Sequence, residues 1–208
     1  MGNYKTEQEQ FWAGEFGSSY IERNCDADII RQNTFLFSRI IPRTQGEVAS
    51  VIELGANIGL NLQALKTLLP EAELSGIEIN HDAAEQLRKI DGVKAYEESI
   101  LDFKVDYQRD MSLIKTVLIH INPEELPKVY DLLYESSRKY ICISEFYNPS
   151  PVEVNYRGHT ERLFKRDFAG EMLDRFDDLE LVDYGFCYHR DKFFPKTDTT
   201  WFLLRKTK

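Results

Sequence analysis

Cysteine is scarce in this chain of 208 residues, with only Cys25, Cys142 and Cys187. They are odd in number and far apart, and they form no CxxC. This argues against a disulfide framework or a zinc site and for reduced thiols in a cytosol. No apolar run approaches the ~20 residues of a membrane span. The stretch Met1-Gly2-Asn3-Tyr4-Lys5-Thr6 lacks the apolar core of a secretory signal. The expectation is a cytoplasmic protein without a membrane partner. Basic residues are the minority, 26 against 35 acidic ones, and no Lys/Arg block offsets the net charge of −9. That charge opposes binding to a phosphate backbone. A small molecule or a protein is the expected partner, and oligomeric state is not legible. No metal-ligand spacing is evident, so no metal is expected. Repeats, low-complexity segments and signs of a second domain are also missing.

What remains is an ordinary globular composition, 42% hydrophobic and 29% charged, long enough for one domain with a full core. Residues 1–42 read as an amino-terminal helical segment. Phe11, Trp12, Phe16, Tyr20 and Ile21 suit a short helix and turn broken by Gly14 and Gly17. A second helix from Asp26 to Ile41, capped by Asp26 or Asp28, ends at Pro42. From 48 to 206 strands and helices alternate. Strands are expected at Val48–Leu54, Ala72–Ile79, Val93–Tyr96, Met111–Ile114 and Tyr140–Phe146, then Leu179–Tyr188 and Thr199–Arg205. Helices are expected at Leu60–Leu69, from Asn80 or Asp82 to Ile90, from Pro123 to about Ser137, and at Leu163–Phe176, with a loop over 147–160. The alternation predicts an α/β fold, with a seven-stranded, mostly parallel sheet and helices on both faces. The last two strands, with no helix between them, should form an antiparallel hairpin.

Two motifs carry the chemistry. In Glu53-Leu54-Gly55-Ala56-Asn57-Ile58-Gly59 an apolar strand ends in an acid and a glycine turn opens a helix. This is how an open α/β sheet makes a ligand crevice. The spacing is GxxxG, not the GxGxxG of dinucleotide sites, so no glycine is placed for a pyrophosphate. In Ser75-Gly76-Ile77-Glu78-Ile79 an acid ends the second strand, where a carboxylate can take both hydroxyls of a ribose.

The order ELGANIG, GIEI, ESILDF, LIKTVLIHINPEEL resembles class I S-adenosylmethionine-dependent methyltransferases over about residues 48–205. QFWAGEFGSSYIERN and VLIHINPEELPKVY resemble, more narrowly, the methylases associated with pseudaminic acid biosynthesis. The resemblance implies a Rossmann-like domain that binds S-adenosyl-L-methionine. It implies that Glu53, Gly55 and Asn57 surround the methionyl part, and Ala56, Gly59 and Asn61 of the same stretch are also expected to bind the cofactor. Glu78 would hold the ribose, and Ile79 would pack on the adenine. Ser99-Ile100 stands where relatives often carry an acid and an apolar residue near the adenine amine. Lys115-Thr116-Val117, with Thr116 where relatives often have glycine, would face the methionyl end. From the residues themselves, Trp12, Phe16 and Tyr20 read either as a lid over the cofactor or as aromatics that simply dock this segment on the sheet, and Arg23 is a candidate for the cofactor carboxylate.

A sulfonium methyl group is already electrophilic, so the protein has mainly to align a nucleophile, with a base where the acceptor needs one. Candidate bases are His120, His159, Glu145 and Tyr147; His120 is as readily a hydrogen-bonded structural residue. Tyr156 and Arg157 in the long loop are candidates for acceptor binding, Arg157 through a carboxylate or phosphate. The expected function is methyl transfer to an oxygen or nitrogen of a small acceptor, such as a sugar or nonulosonic-acid pathway intermediate. A natural-product or protein acceptor, or a cofactor-binding module without transfer activity, are the alternatives. A nucleotide-dependent oxidoreductase is disfavoured by the glycine spacing.

Overall fold

The computed structural model describes residues 4–23, 27–156, 158, 160 and 162–208; of Glu22 and Ala27 only the backbone is described. Three helices, α1 (Glu7–Ala13), α2 (Glu15–Arg23) and α3 (Ala27–Ile40), precede the sheet. Thr6 caps α1, accepting from the Glu9 amide while the Glu9 side chain accepts from the Thr6 amide. This reciprocal pair satisfies two amides that a helix start otherwise leaves open. Gly14 stops α1. Gly17 in α2 is needed for close approach, because a Cβ there would overlap the Trp12 carbonyl and come within 2.9 Å of Asn80 Nδ2. Asp28 lies inside the first turn of α3, bound to Arg31 and Gln32, and does not cap it. Asp26, the other expected cap, and Cys25 lie outside the described residues.

The strands are β1 (Ser50–Leu54), β2 (Glu73–Glu78), β3 (Val93–Glu97), β4 (Arg109–Lys115), β5 (Ser137–Glu145), β6 (Val152–Glu153), β7 (Phe164–Lys165), β8 (Leu179–Phe186) and β9 (Thr200–Lys206). Between them run α4 (Leu60–Leu68), α5 (His81–Leu87), α6 (Leu126–Ser136) and α7 (Phe168–Arg175). Seven strands form one sheet in the order β3-β2-β1-β4-β5-β9-β8. β3 to β5 are parallel, and β9 runs antiparallel to both β5 and β8. The expected terminal hairpin is present, with β9 inserted beside β5.

Alternation along the strands sorts the core to the two faces. Ile52, Leu54, Ile114 and Ile143 face α6 and α7, while Val51, Leu113, Cys142 and Leu203 face α3 and α4. Leu36, Phe37 and Ile40 seal α3 to the sheet at 0–1% exposure, each such side chain worth roughly 1.5–3 kcal/mol. Cys142 is fully buried core, as expected from its strand. Among the described residues no helix is long and apolar enough to cross a membrane.

Two element expectations fail. The proline in the first turn of α6 is Pro127; Pro123 lies in the turn before it, so the helix begins at Leu126. Both prolines suit a helix start, and Pro127, in the later position, cannot sit deeper in a helix without breaking it. Residues 147–167 are not simply a loop followed by helix. β6 and β7 pair there as a small antiparallel ribbon, and α7 starts only at Phe168, capped by Asp167.

Candidate active site

The strand order reverses at β1, whose neighbours are β2 on one side and β4 on the other. At the carboxyl ends of these strands lies a cavity of about 680 Å³, within the usual range for small-molecule sites. Its floor is the turn after β1. Gly55 (φ +73°) and Asn57 (φ +49°) take left-handed conformations, and Gly59 (φ +79°) opens α4. A Cβ on Gly55 would come within 2.6 Å of Val117 Cγ2, so the close approach of the two turns requires glycine.

Glu78 closes one side. Its Oε2 accepts the Asn57 amide and its Oε1 the Asn80 amide, both at 2.7 Å. Burial raises its carboxyl above the usual range, and these amides oppose that shift. With the Ile79 amide also acting on it, the carboxylate, which has about four lone-pair sites, still has capacity for a further donor. Asn80 binds in three directions: its Oδ1 caps α5 through the Ala83 amide, and its Nδ2 donates to the Trp12 carbonyl at 3.2 Å.

Glu53 lies one layer beneath the floor. It is fully buried and does not line the cavity; its Oε1 accepts from Asn61 Nδ2 at 2.5 Å, and Asn61 does line the cavity. Glu53 Oε2 and Asn61 Oδ1 are buried without a hydrogen-bond partner. Burial pushes the Glu53 carboxyl up to about 8. Lys115, at the end of β4, lines the cavity and is lowered by burial, against the nearby charges of Glu53 and Glu145. Thr116 follows with φ +54°, a costly conformation for a β-branched residue. It lines the cavity where the resembled family often has glycine.

The amino-terminal segment contributes to the cavity wall. Trp12 and Tyr20 line the cavity; Phe16 does not but backs Trp12, with ring centroids 5.4 Å apart. His120 also lines it, between Trp12 (4.7 Å) and Tyr156 (5.0 Å). Its Nδ1 lies 2.6 Å from the Arg162 carbonyl. A carbonyl only accepts, so Nδ1 carries the proton and Nε2 keeps a lone pair. Burial lowers the ring to about 4.

Of the residues expected from sequence, Gly55, Ala56, Asn57, Asn61, Glu78, Ile79, Ser99, Ile100, Lys115, Val117, Trp12, His120 and Tyr156 come together around this cavity. Others stand off it. Gly59 is behind the floor, packed toward Leu87 and Ile90. Glu145 is turned away: its Oε1 accepts the Val117 and Leu118 amides at 2.9 Å, and so fixes the turn after β4. Tyr147 is 43% exposed, near Phe202 rather than the cavity. Arg23 is exposed and stacks over Phe16 at 5.4 Å. His159 and Arg157 lie outside the described residues.

Among the lining residues that sequence reasoning missed, Glu9, Asn33 and Lys196 matter most for the chemistry. Glu9 is buried and accepts from the Ser99 hydroxyl, bringing a carboxylate from α1 to the place where Ser99 stands for an acid. The Thr6-x-x-Glu9 spacing of a capping box was its only sequence signal. Asn33 of α3 and Lys196 of the β8–β9 connection meet at the other end, Lys196 Nζ donating to Asn33 Oδ1. Nothing local announces that pair, which exists only through the fold.

No protein-family model and no curated protein matches the sequence. Solved structures share the fold. The plantazolicin methyltransferase BpumL, with S-adenosylhomocysteine and a substrate analogue, superposes with a TM-score of 0.65 at 15% identity, covering 96% of this chain and 95% of that one. The magnesium protoporphyrin IX methyltransferase of Synechocystis PCC 6803, also with S-adenosylhomocysteine, gives 0.71 at 10% identity over 96% and 97%. A S-adenosylmethionine-dependent methyltransferase of Clostridium acetobutylicum ATCC 824 gives 0.65 at 11% identity over 93% and 98%. The chain therefore has the Rossmann-like fold of class I S-adenosylmethionine-dependent methyltransferases.

Proposed function

We propose that the protein binds S-adenosyl-L-methionine in this cavity and transfers its methyl group to an oxygen or nitrogen of a small acceptor. One observation carries the reading. The buried Glu78 carboxylate, with lone-pair capacity to spare, and the Asn61 side chain line one cavity from either side of the Gly55 turn. A carboxylate for ribose hydroxyls and a polar side chain beside the Gly55 turn for an amino-acid end, with no pyrophosphate cradle between them, fit a nucleoside joined to an amino acid. The bound methionyl and homocysteinyl nucleosides of the structures that share the fold support it.

When bound, the group supplies an electrophilic methyl on a sulfonium. The chain's own residues do the rest. Glu78 accepts the ribose hydroxyls, Ile79 and Ile100 flank the base, and Ser99 with Glu9 meets its polar edge. Gly55, Ala56 and Asn57 leave room for the amino-acid end, which would lie against Asn61, itself held by Glu53. Trp12 and Tyr20 exclude water from the transfer site. His120 presents an unprotonated Nε2, a weak proton acceptor whose ring is held by Arg162.

The acceptor reading is narrower: a sugar or nonulosonic-acid intermediate, supported by the resemblance carried by QFWAGEFGSSYIERN and VLIHINPEELPKVY. A natural-product acceptor is the second reading, favoured by plantazolicin and glycopeptide methyltransferases among the fold's solved examples. Thermal shifts with S-adenosylmethionine, S-adenosylhomocysteine and NADH test the cofactor, since a ligand of the folded state raises the Tm. The first two should stabilise the protein; stabilisation by NADH alone refutes the assignment. Methyl transfer from labelled cofactor to panels of sugar acids and of azole peptides then separates the acceptor readings.

A further inference from the structure

The cavity is electrically two-ended. Glu78, Glu98 and Glu9 line the side at β2 and β3; Lys115 and Lys196 line the side toward β4 and the β8–β9 connection. Glu78 and Lys115 end strands separated by β1, so two strand spacings, roughly 9–10 Å, divide the ends. The ribose and amino-acid end assigned above fall on Glu78 and the Gly55 turn. They leave the lysines beyond them.

We propose that Lys115 and Lys196 form a binding subsite for a carboxylate. Lys196 is held in place by Asn33, which is 1% exposed. Its ammonium keeps two further protons for a ligand. Among the described residues Lys115 makes no side-chain hydrogen bond. Its neighbour across the β4–β5 ladder, Ser144, has a buried hydroxyl that also lacks a partner. Glu53 and Glu145 lie near enough to favour the charged form of Lys115, yet among the described residues neither forms an ion pair with it; Glu53 is hydrogen-bonded to Asn61 beneath the floor. Glu145 turns its bonded oxygen to the Val117 and Leu118 amides. Both ammoniums are pressed toward neutrality, chiefly by burial, and Lys196 also by the charge of Lys115. Two half-buried like charges without a hydrogen-bonded counter-ion destabilise each other, and an anion between them relieves both.

A carboxylate could come from the α-carboxylate of the cofactor or from an acid group on the acceptor. The inference rests on the proposed function for that choice only; the anion site itself is tested without cofactor. Lysine ε-proton and amide NMR shifts are followed while acetate and malonate are titrated at constant ionic strength, in wild type, Lys196→Gln and Lys196→Arg. Wild type and Lys196→Arg should saturate, and Lys196→Gln should bind about tenfold or more weakly, the scale of one lost charged hydrogen bond. Equal, non-saturating shifts in all three proteins overturn the proposal. Unchanged amide spectra away from residue 196 guard against misfolding.

Calorimetry with S-adenosylhomocysteine and 5′-methylthioadenosine, which lacks the amino-acid end, then identifies the source. If Lys196→Gln abolishes the preference for S-adenosylhomocysteine, the subsite serves the cofactor. If that preference survives while malonate binding to the S-adenosylhomocysteine complex is lost, it serves an acidic acceptor. A wild type that takes acetate but neither nucleoside sinks the proposed function and leaves the anion site standing.

Discussion

Glu53→Gln should stabilise the empty protein while weakening its response to cofactor. Glu53 is fully buried with one oxygen unpartnered, and its carboxyl is pushed up to about 8 from an ordinary 4.5. The folded state therefore holds a proton that the unfolded chain releases above pH 4.5. Stability from this group is fully present below 4.5, falls as pH rises, and levels off above 8. Each pH unit in that window costs about 1.4 kcal/mol, or roughly 3 kcal/mol at pH 7. Glutamine keeps the shape and can still accept from Asn61, but it does not titrate. The loss of a negative neighbour for Lys115 offsets part of the gain, so the pH slope is the cleaner readout than Tm at one pH. Scanning calorimetry from pH 5 to 8 should show a falling Tm in wild type, by about 6–12 °C for a chain of this size, and a flatter line in Glu53→Gln. S-adenosylmethionine should flatten the wild-type slope, because its ammonium favours the ionised carboxyl. Parallel slopes in wild type and variant, with equal stabilisation by cofactor, would refute the reasoning.

Two further substitutions separate binding from structure. Glu78→Ala removes the acceptor shared by the Asn57 and Asn80 amides and the proposed ribose contact; calorimetry with S-adenosylhomocysteine should show affinity lower by about 1–3 kcal/mol, and unchanged affinity would discard the ribose role. His120→Ala should cost about 1–3 kcal/mol of stability, since it empties a ring site between Trp12 and Tyr156 and orphans the Arg162 carbonyl. Because its folded pKa is lowered to about 4, His120 contributes stability above pH 6.5 that is lost as pH falls toward 4, and the variant should lose that acid-side slope. A kcat more than about a hundredfold down, at unchanged Tm, would instead make His120 the base.

The parts of the fold that sequence made legible are those whose cause is local. A buried parallel strand reads as an apolar run, and Glu53-Leu54-Gly55 and Ile77-Glu78 announced where β1 and β2 end because acids and glycines punctuate such runs. The β6–β7 ribbon was invisible because two-residue strands have no period to detect. Pro123 drew the start of α6 too early because the rule that admits proline to a first turn does not choose between two nearby prolines. In the site, Glu145 looked like a ligand-edge acid from its strand position. Which way a side chain leaves the end of a strand depends on the turn beside it, and the amides of Val117 and Leu118 claim it. Lys196 and Asn33 stand 163 residues apart in sequence; only packing of α3 against the end of the sheet brings them together.

Asn80 links the aromatic segment before the sheet to the proposed site through hydrogen bonds. Its backbone amide holds Glu78 Oε1, its Oδ1 starts α5, and its Nδ2 reaches the Trp12 carbonyl where Gly17 lets α2 approach. A ligand that draws Glu78 toward its hydroxyls therefore pulls on the residue that holds that segment. On the same rim, Glu9 ties α1 to Ser99. The position of α1 and α2 and the carboxylates of the proposed site thus share hydrogen bonds, so ligand binding there is expected to be felt in the segment. An amino-terminal segment held only by apolar contact would impose no such link. That difference is physical: cofactor binding should protect the α1 and α2 amides from hydrogen exchange as strongly as the Gly55 turn, and protection confined to the turn would show the segment to be a bystander.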